Sequence, residues 1–122
     1  MANLDQIMNY IADNTIVDQG TSGDWEYRKW SDGTAECWAT LTDTRTTAFT
    51  ATGSVFYRTT NIPLISSFFV SAPVVSITQN MSNVGAACLS GVSTTTLNVT
   101  EMSAVSTGRQ VTLYIYCIGR WK

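Results

Sequence analysis

The chain has 122 residues, a net charge of −2 at pH 7 and 13% charged residues, which suits one compact domain and leaves no room for a second core. The acidic balance argues against nucleic-acid binding, which needs Lys and Arg to neutralise phosphates. The absence of histidine excludes catalytic triads and imidazole metal sites, so no metal or cofactor is expected. No apolar run approaches the roughly 20 residues of a membrane span, which predicts no membrane insertion.

The first predicted element is a short amphipathic helix over residues 3–13. Its apolar residues recur at helical spacing: Leu4, Ile7, Met8 and Ile11. Asn3 and Gln6 match a capping box. A helix this short is unstable alone in water, so it must dock, either on its own domain or on copies of the chain. Residues 1–20 are therefore predicted as helix and linker, and 21–122 as a β domain.

Beyond the glycines at 20 and 23, the sequence alternates strand-like runs with turn residues. Thr, Val, Ile, Phe and Tyr dominate the runs, and Gly, Asn, Ser and Pro separate them. The predicted strands are 25–30, 34–41, 46–50, 54–59, 73–79, 86–91, 95–101 and 109–118. This spacing predicts an all-β fold, an antiparallel β-sandwich or barrel-like domain.

The hairpin around Ser31-Asp32-Gly33 is the clearest local structure. A three-residue turn with glycine in the left-handed conformation would pair Arg28 with Glu36, Glu26 with Trp38 and Trp30 with Thr34. A two- or four-residue loop would shift this pairing by one residue, and the three-residue version is preferred.

In the preferred register one face of the hairpin is small and aromatic, as a core face should be: Trp25, Tyr27, Lys29, Ala35, Cys37 and Ala39. The other face carries Arg28 and Glu36, expected as a cross-strand ion pair, with Trp30 and Trp38. These four are the candidate binding residues. The two indoles either stack on the sugar rings of a surface glycan or fill a core or subunit interface; the structural alternative is favoured.

The last predicted strand has an aliphatic face, with Val111, Leu113, Ile115 and Cys117, and a face that carries Tyr114 and Tyr116. Such a tyrosine face is covered by a second layer or meets a partner. The candidate oligomer interface is therefore Tyr114 and Tyr116, together with Leu4, Ile7 and Ile11 from the helix. A strand this apolar near the C-terminus predicts that the terminus is tied into the fold.

Cysteine spacing and acid placement bear on chemistry. Cys37, Cys88 and Cys117 are far apart and odd in number, so reduced thiols are expected rather than a disulfide framework or zinc motif. The only acids close enough in sequence to suggest a carboxylate pair are Asp24, Glu26, Asp32 and Glu36. Glycoside hydrolysis by such a pair is the least favoured hypothesis, and no enzyme is expected.

The segment Gly23 to Trp38 resembles a signature of tailed-bacteriophage structural proteins, in which Gly-x-Trp-x-Tyr-Arg-Lys-Trp leads through a turn into Ala-Glu-Cys-Trp. The ending Ile118-Gly119-Arg120-Trp121-Lys122 is similar to that family's last residues, and 60–64 with Phe69, Pro73 and Val75 fits its middle section. The resemblance covers roughly 15–122.

This resemblance implies a tail, fibre or other appendage component of a virion, assembled in the bacterial host cytoplasm with other virion proteins. Such domains usually end longer chains and are often homotrimeric, so this one would be a C-terminal piece or a short free-standing virion protein. The leading hypothesis is a receptor-binding head for host attachment through a surface glycan. The second is a purely structural capsid-decorating or fibre-capping module. The third is a glycan-cleaving enzyme.

Overall fold

The computed structural model describes residues 14–45, 50–81, 85–104 and 109–122, and these residues form an all-β fold. The strands are β1 (Ile16–Ser22), β2 (Trp25–Trp30), β3 (Thr34–Arg45), β4 (Thr50–Thr52), β5 (Val55–Pro63), β6 (Val74–Met81), β7 (Gly85–Val92), β8 (Thr96–Ser103) and β9 (Arg109–Arg120). Within the described ranges there is no helix that could cross a membrane.

Most predicted strands are confirmed to within a few residues, but β1 was not predicted. The sequence predicts a linker up to residue 20, but in the structure β1 pairs antiparallel with β2, with Gly20 opposite Tyr27 and Ser22 opposite Trp25. Gly23, with φ +60°, begins the turn that separates β1 from β2. The predicted helix, with its cap at Asn3, lies outside the described residues, as does 46–49 of the third predicted strand.

Two antiparallel sheets pack face to face as a β-sandwich. The first sheet has the order β1-β2-β3-β9-β6, and the second has the order β4-β5-β8-β7. Strand β9 therefore lies between β3 and β6. It pairs with β3 along its whole length, from Thr34 opposite Arg120 to Arg45 opposite Arg109. This pairing fixes which side chains of β9 lie beside the hairpin of β2 and β3.

The core lies between the sheets and uses the alternate residues that the sequence predicted. Ala35, Cys37 and Ala39 of β3 are buried. The aliphatic face of β9 is buried as well, with Val111, Leu113, Ile115 and Cys117. The second sheet contributes Ile62, Leu97 and Val99. Because one face of each strand is committed to this core, the alternate residues of β2, β3 and β9 must point outward.

The C-terminal residues close on the β2–β3 turn, which confirms that the terminus is tied into the fold. Trp121 donates its backbone N–H to Gly33 O at 2.9 Å and its indole N–H to Trp30 O at 2.8 Å. Arg120 Nη2 donates to Asp32 O at 2.7 Å. On the inner side, Phe69 packs so closely that a Cβ on Gly119 would lie 2.9 Å from its ring.

Candidate binding face on the first sheet

The outward side of β2, β3 and β9 carries the candidate site, and the hairpin register places it there. Arg28 lies opposite Glu36 and Glu26 opposite Trp38, as the three-residue turn predicts. Gly33 adopts φ +97° and donates its N–H to Trp30 O at 3.0 Å. This is a left-handed backbone conformation, which residues other than glycine adopt only with strain.

The Glu36 carboxylate is the centre of the face. It is only 8% exposed, yet it accepts a hydrogen bond from Trp30 Nε1 at 2.7 Å and another from the hydroxyl of Tyr116. Arg28 forms an ion pair with this carboxylate, with Nε 3.4 Å from Oε1, and its Nη2 donates a long hydrogen bond to Oε2 at 3.5 Å. Glu36 therefore connects three strands through one carboxylate.

These contacts shift two pKa values in opposite directions. Burial by itself raises the pKa of the Glu36 carboxyl, but hydrogen bonds from Tyr116 and Trp30 and the charge of Arg28 outweigh it, so the pKa lies below its ordinary value. Burial, followed by the hydrogen bond to Glu36 and its negative charge, raises the pKa of Tyr116 to about 12. At neutral pH the pair is therefore a carboxylate and a neutral phenol.

Arg28 lies between two indole rings. Its Cζ is 5.0 Å from the centroid of the Trp38 ring and 5.8 Å from that of the Trp30 ring, within the range of cation–π attraction. Trp38 Nε1 donates to Glu26 Oε2 at 2.6 Å. Both indoles are half-buried. We call Trp30, Arg28 and Trp38 the aromatic ladder, since the three side chains follow one another across the hairpin.

Shallow depressions surround Trp38. One of about 430 Å³ includes Gln19 and Arg28 in its lining, and one of about 390 Å³ includes Tyr114 and Tyr116. A third, of about 290 Å³, is lined by Thr21, Asp24, Glu26, Trp38, Ala39 and Thr40. Trp38 is thus a ridge with open space on more than one side, whereas the buried Glu36 lines a separate depression of about 240 Å³ with Trp30 and Ile118.

The structure brings the four candidate binding residues together, but with unequal access. Trp30, Arg28 and Trp38 are partly exposed, whereas Glu36 is buried beneath them and holds them in position. The sequence predicts Tyr116 in the oligomer interface; in the structure its hydroxyl donates to Glu36, and the residue remains 36% exposed. Tyr114 lies on the same face, 45% exposed. The other interface candidates, Leu4, Ile7 and Ile11, lie outside the described residues.

Sequence reasoning missed the contribution of β1 to this face. Gln19 and Thr21 line depressions beside Trp38 because β1 extends the sheet past β2. The sequence from Ile16 to Ser22 is long enough for a strand, but it does not alternate apolar and polar residues as a half-buried strand does. Glu26 was noted among the acids, but its bond to the Trp38 indole was not predicted.

The cysteines are free in the structure. Cys37 and Cys117 are buried and lie opposite each other in β3 and β9, and Cys88 is exposed. A hydrogen bond with Cys117 and burial raise the pKa of the Cys37 thiol. Cys37 is therefore a core residue, as predicted. Among the described residues, no three His, Cys, Asp or Glu side chains form a metal-binding group.

Comparison with known proteins identifies a structural relative. No protein-family model matches this sequence, and no curated protein matches it. The fold is similar to that of an N-truncated R1-type pyocin tail fiber, with a TM-score of 0.54 and 14% sequence identity over 98% of each chain. At this identity, the likeness shows the fold alone.

Proposed function

We propose that this chain is the head domain of a tail fibre or appendage of a bacteriophage-like particle, and that it attaches the particle to the bacterial surface. The aromatic ladder on an open sheet face carries the proposal. A fold similar to that of a pyocin tail fiber over nearly the whole chain supports it, and so does the resemblance of the segment from Gly23 to Trp38 to a signature of tailed-bacteriophage structural proteins. The proposed action is binding, without catalysis and without a cofactor.

The ladder has the chemistry that saccharide binding requires. Aromatic faces pack against the C–H faces of sugar rings, and nearby polar groups orient the hydroxyls. Glu26 accepts a hydrogen bond from the Trp38 indole, and Arg28 lies over the Trp38 ring. Because these contacts already fix the side chain, little side-chain entropy remains to be lost on binding. Glu36 contributes by positioning Trp30 and Arg28.

We also infer a homotrimer, assembled through the β6 and β9 side of the same sheet, which lies next to the ladder. Exposed apolar side chains collect there: Val74 is 74% exposed and Ile118 is 37% exposed, and the two lie directly opposite each other in β6 and β9. Tyr114 continues the patch. Light scattering at micromolar concentration should give a mass near three times 13.3 kDa; a mass near 13 kDa would refute self-association.

Cell adsorption tests the attachment role. Labelled protein is incubated with a panel of bacterial strains, and the bound fraction is compared for wild type, Trp38→Ala and Tyr57→Ala. Tyr57, on the outer face of the second sheet and 37% exposed, is the matched control. We expect Trp38→Ala to reduce adsorption about tenfold or more, with the mass and folding unchanged, and Tyr57→Ala to have no effect.

The alternative is a purely structural module, and one observation favours it: both ladder indoles already donate their N–H groups to carboxylates of the same domain. The same experiment separates the two. If wild-type protein adsorbs to no strain, or if Trp30→Ala and Trp38→Ala both lose solubility or the oligomer, the ladder is an internal support and the attachment proposal fails.

A further inference from the structure

We infer that the side of Trp38 turned away from Arg28 binds an uncharged hexopyranose unit of a surface polysaccharide. This inference rests on the proposed attachment function and specifies the ligand class and the subsite. The subsite is the depression of about 290 Å³ described above. It is large enough for one pyranose ring.

The position of Arg28 determines which face of Trp38 is available. The guanidinium lies over the indole ring at 5.0 Å from its centroid, so that side is already stacked. Arg28 lines the larger groove beside Gln19 but does not line the depression that contains Thr21, Asp24 and Thr40. Two depressions beside Trp38 are not lined by Arg28: this one, and the one that contains Tyr114 and Tyr116. Only this one also includes Glu26, the carboxylate that holds the Trp38 indole, so we place the sugar ring here.

The charges in the depression select against acidic sugars. Its ionisable groups are the carboxylates of Asp24 and Glu26, and its other polar side chains are the hydroxyls of Thr21 and Thr40. Carboxylates accept hydrogen bonds from sugar hydroxyls and cannot donate at neutral pH. The carboxylate of a uronic or sialic acid would meet two like charges in a small space, which disfavours its binding.

Glu26 can serve both the protein and a sugar. Its Oε2 accepts the Trp38 indole N–H at 2.6 Å, which fixes the plane of the ring. Its other oxygen stays available to accept a hydroxyl proton, because a carboxylate has two oxygens and about four acceptor positions. The ring orientation and an acceptor beside it are therefore set by the same residue, before any ligand arrives.

A binding assay with defined oligosaccharides tests the subsite. The probes are uncharged oligomers of glucose, galactose, mannose and N-acetylglucosamine, and, as acidic probes, oligogalacturonate and oligosialic acid. Wild-type protein should bind at least one uncharged probe and neither acidic one. Asp24→Asn, which keeps the shape and removes the charge, should weaken that binding by about fivefold or more. Thr59→Ala, on the outer face of the second sheet, is the control and should leave it unchanged.

The outcomes distinguish this inference from the function on which it rests. Binding of the acidic probes alone, or unchanged affinity in both Asp24→Asn and Trp38→Ala, would overturn the subsite even if the protein still adsorbs to cells. Failure of wild-type protein to adsorb to any strain would instead remove the attachment function itself. Weakened binding in Asp24→Asn, with an unaltered thermal transition, supports the subsite.

Discussion

The indole of Trp121 donates its N–H to the carbonyl oxygen of Trp30 at 2.8 Å, although 91 positions separate the two residues. The bond joins the end of β9 to the turn between β2 and β3. Lys29 Nζ lies 5.5 Å from the centroid of the Trp121 ring, so Trp121 contacts two consecutive residues of β2. The chain end therefore supports the strand from which the aromatic ladder projects.

We expect Trp121→Ala to lower the free energy of unfolding by about 1–3 kcal/mol, because the packing of the half-buried ring is lost and the carbonyl of Trp30 keeps only the Gly33 N–H of its two donors. Lys122→Ala, on the adjacent exposed residue, should change it by less than about 0.5 kcal/mol. Urea unfolding of both variants measures the difference. Equal effects in the two variants would show that the end of β9 does not support the hairpin.

Replacement of Glu36 should be more damaging than its place near the surface suggests. Glu36→Ala leaves the Trp30 and Tyr116 donors without an acceptor and Arg28 without its counter-charge, for an expected loss of about 2–4 kcal/mol. Glu26→Ala, which removes one acceptor on an exposed site, should cost less than about 1 kcal/mol. Denaturant midpoints check the order, and a larger loss for Glu26→Ala would contradict it.

Stability should depend on pH at both ends of the scale. Because the folded pKa of Glu36 lies below the ordinary 4.5, its contribution is present above that pH and is lost as pH falls through the folded pKa. Because the pKa of Tyr116 is raised from 10.0 to about 12, its contribution is complete below pH 10 and is lost as pH rises towards 12.

The variant Tyr116→Phe checks this pH dependence. It removes the alkaline titration, and it weakens the acid one because Glu36 loses a donor that lowers its pKa. Urea midpoints measured from pH 3 to 12 should therefore change less steeply above pH 10 in Tyr116→Phe than in the wild type. Parallel curves for the two proteins in that range would place the titration elsewhere.

Thiol titration should find one reactive cysteine in the native protein and three in denaturant, without added reductant. Cys88 is exposed, whereas Cys37 and Cys117 are fully buried, and the raised pKa of Cys37 keeps its thiol protonated and unreactive. A count of one in denaturant would mean that Cys37 and Cys117 form a disulfide, and it would contradict the prediction of reduced thiols.

The hairpin could be predicted in detail because its information is local. Gly33 selects the turn, the turn selects the register, and the register places Arg28 beside Glu36. The buried face of β9 was equally predictable, since alternate aliphatic residues allow one orientation only. In both cases neighbours in sequence carry the constraint.

The rest depends on contacts that no local pattern encodes. Tyr116 reaches Glu36 across 80 positions, because β9 and not another strand pairs with β3. Strand β1 is exposed along its whole length, so burial leaves no periodic trace in its sequence. It forms because the edge of β2 offers unpaired backbone groups, and it then supplies one wall of the depressions beside Trp38.

The internal position of β9 in the first sheet also determines how much of the chain must be synthesised before that sheet can form. Every other described strand is synthesised before β9, but β3 and β6 both need β9 as the strand that pairs with each of them. A nascent chain that stops short of residue 109 would expose two unpaired edges and lack the tyrosine that completes the Glu36 cluster. The first sheet therefore cannot be completed before β9 has been synthesised, and a chain that lacks β9 also lacks the Tyr116 donor to Glu36.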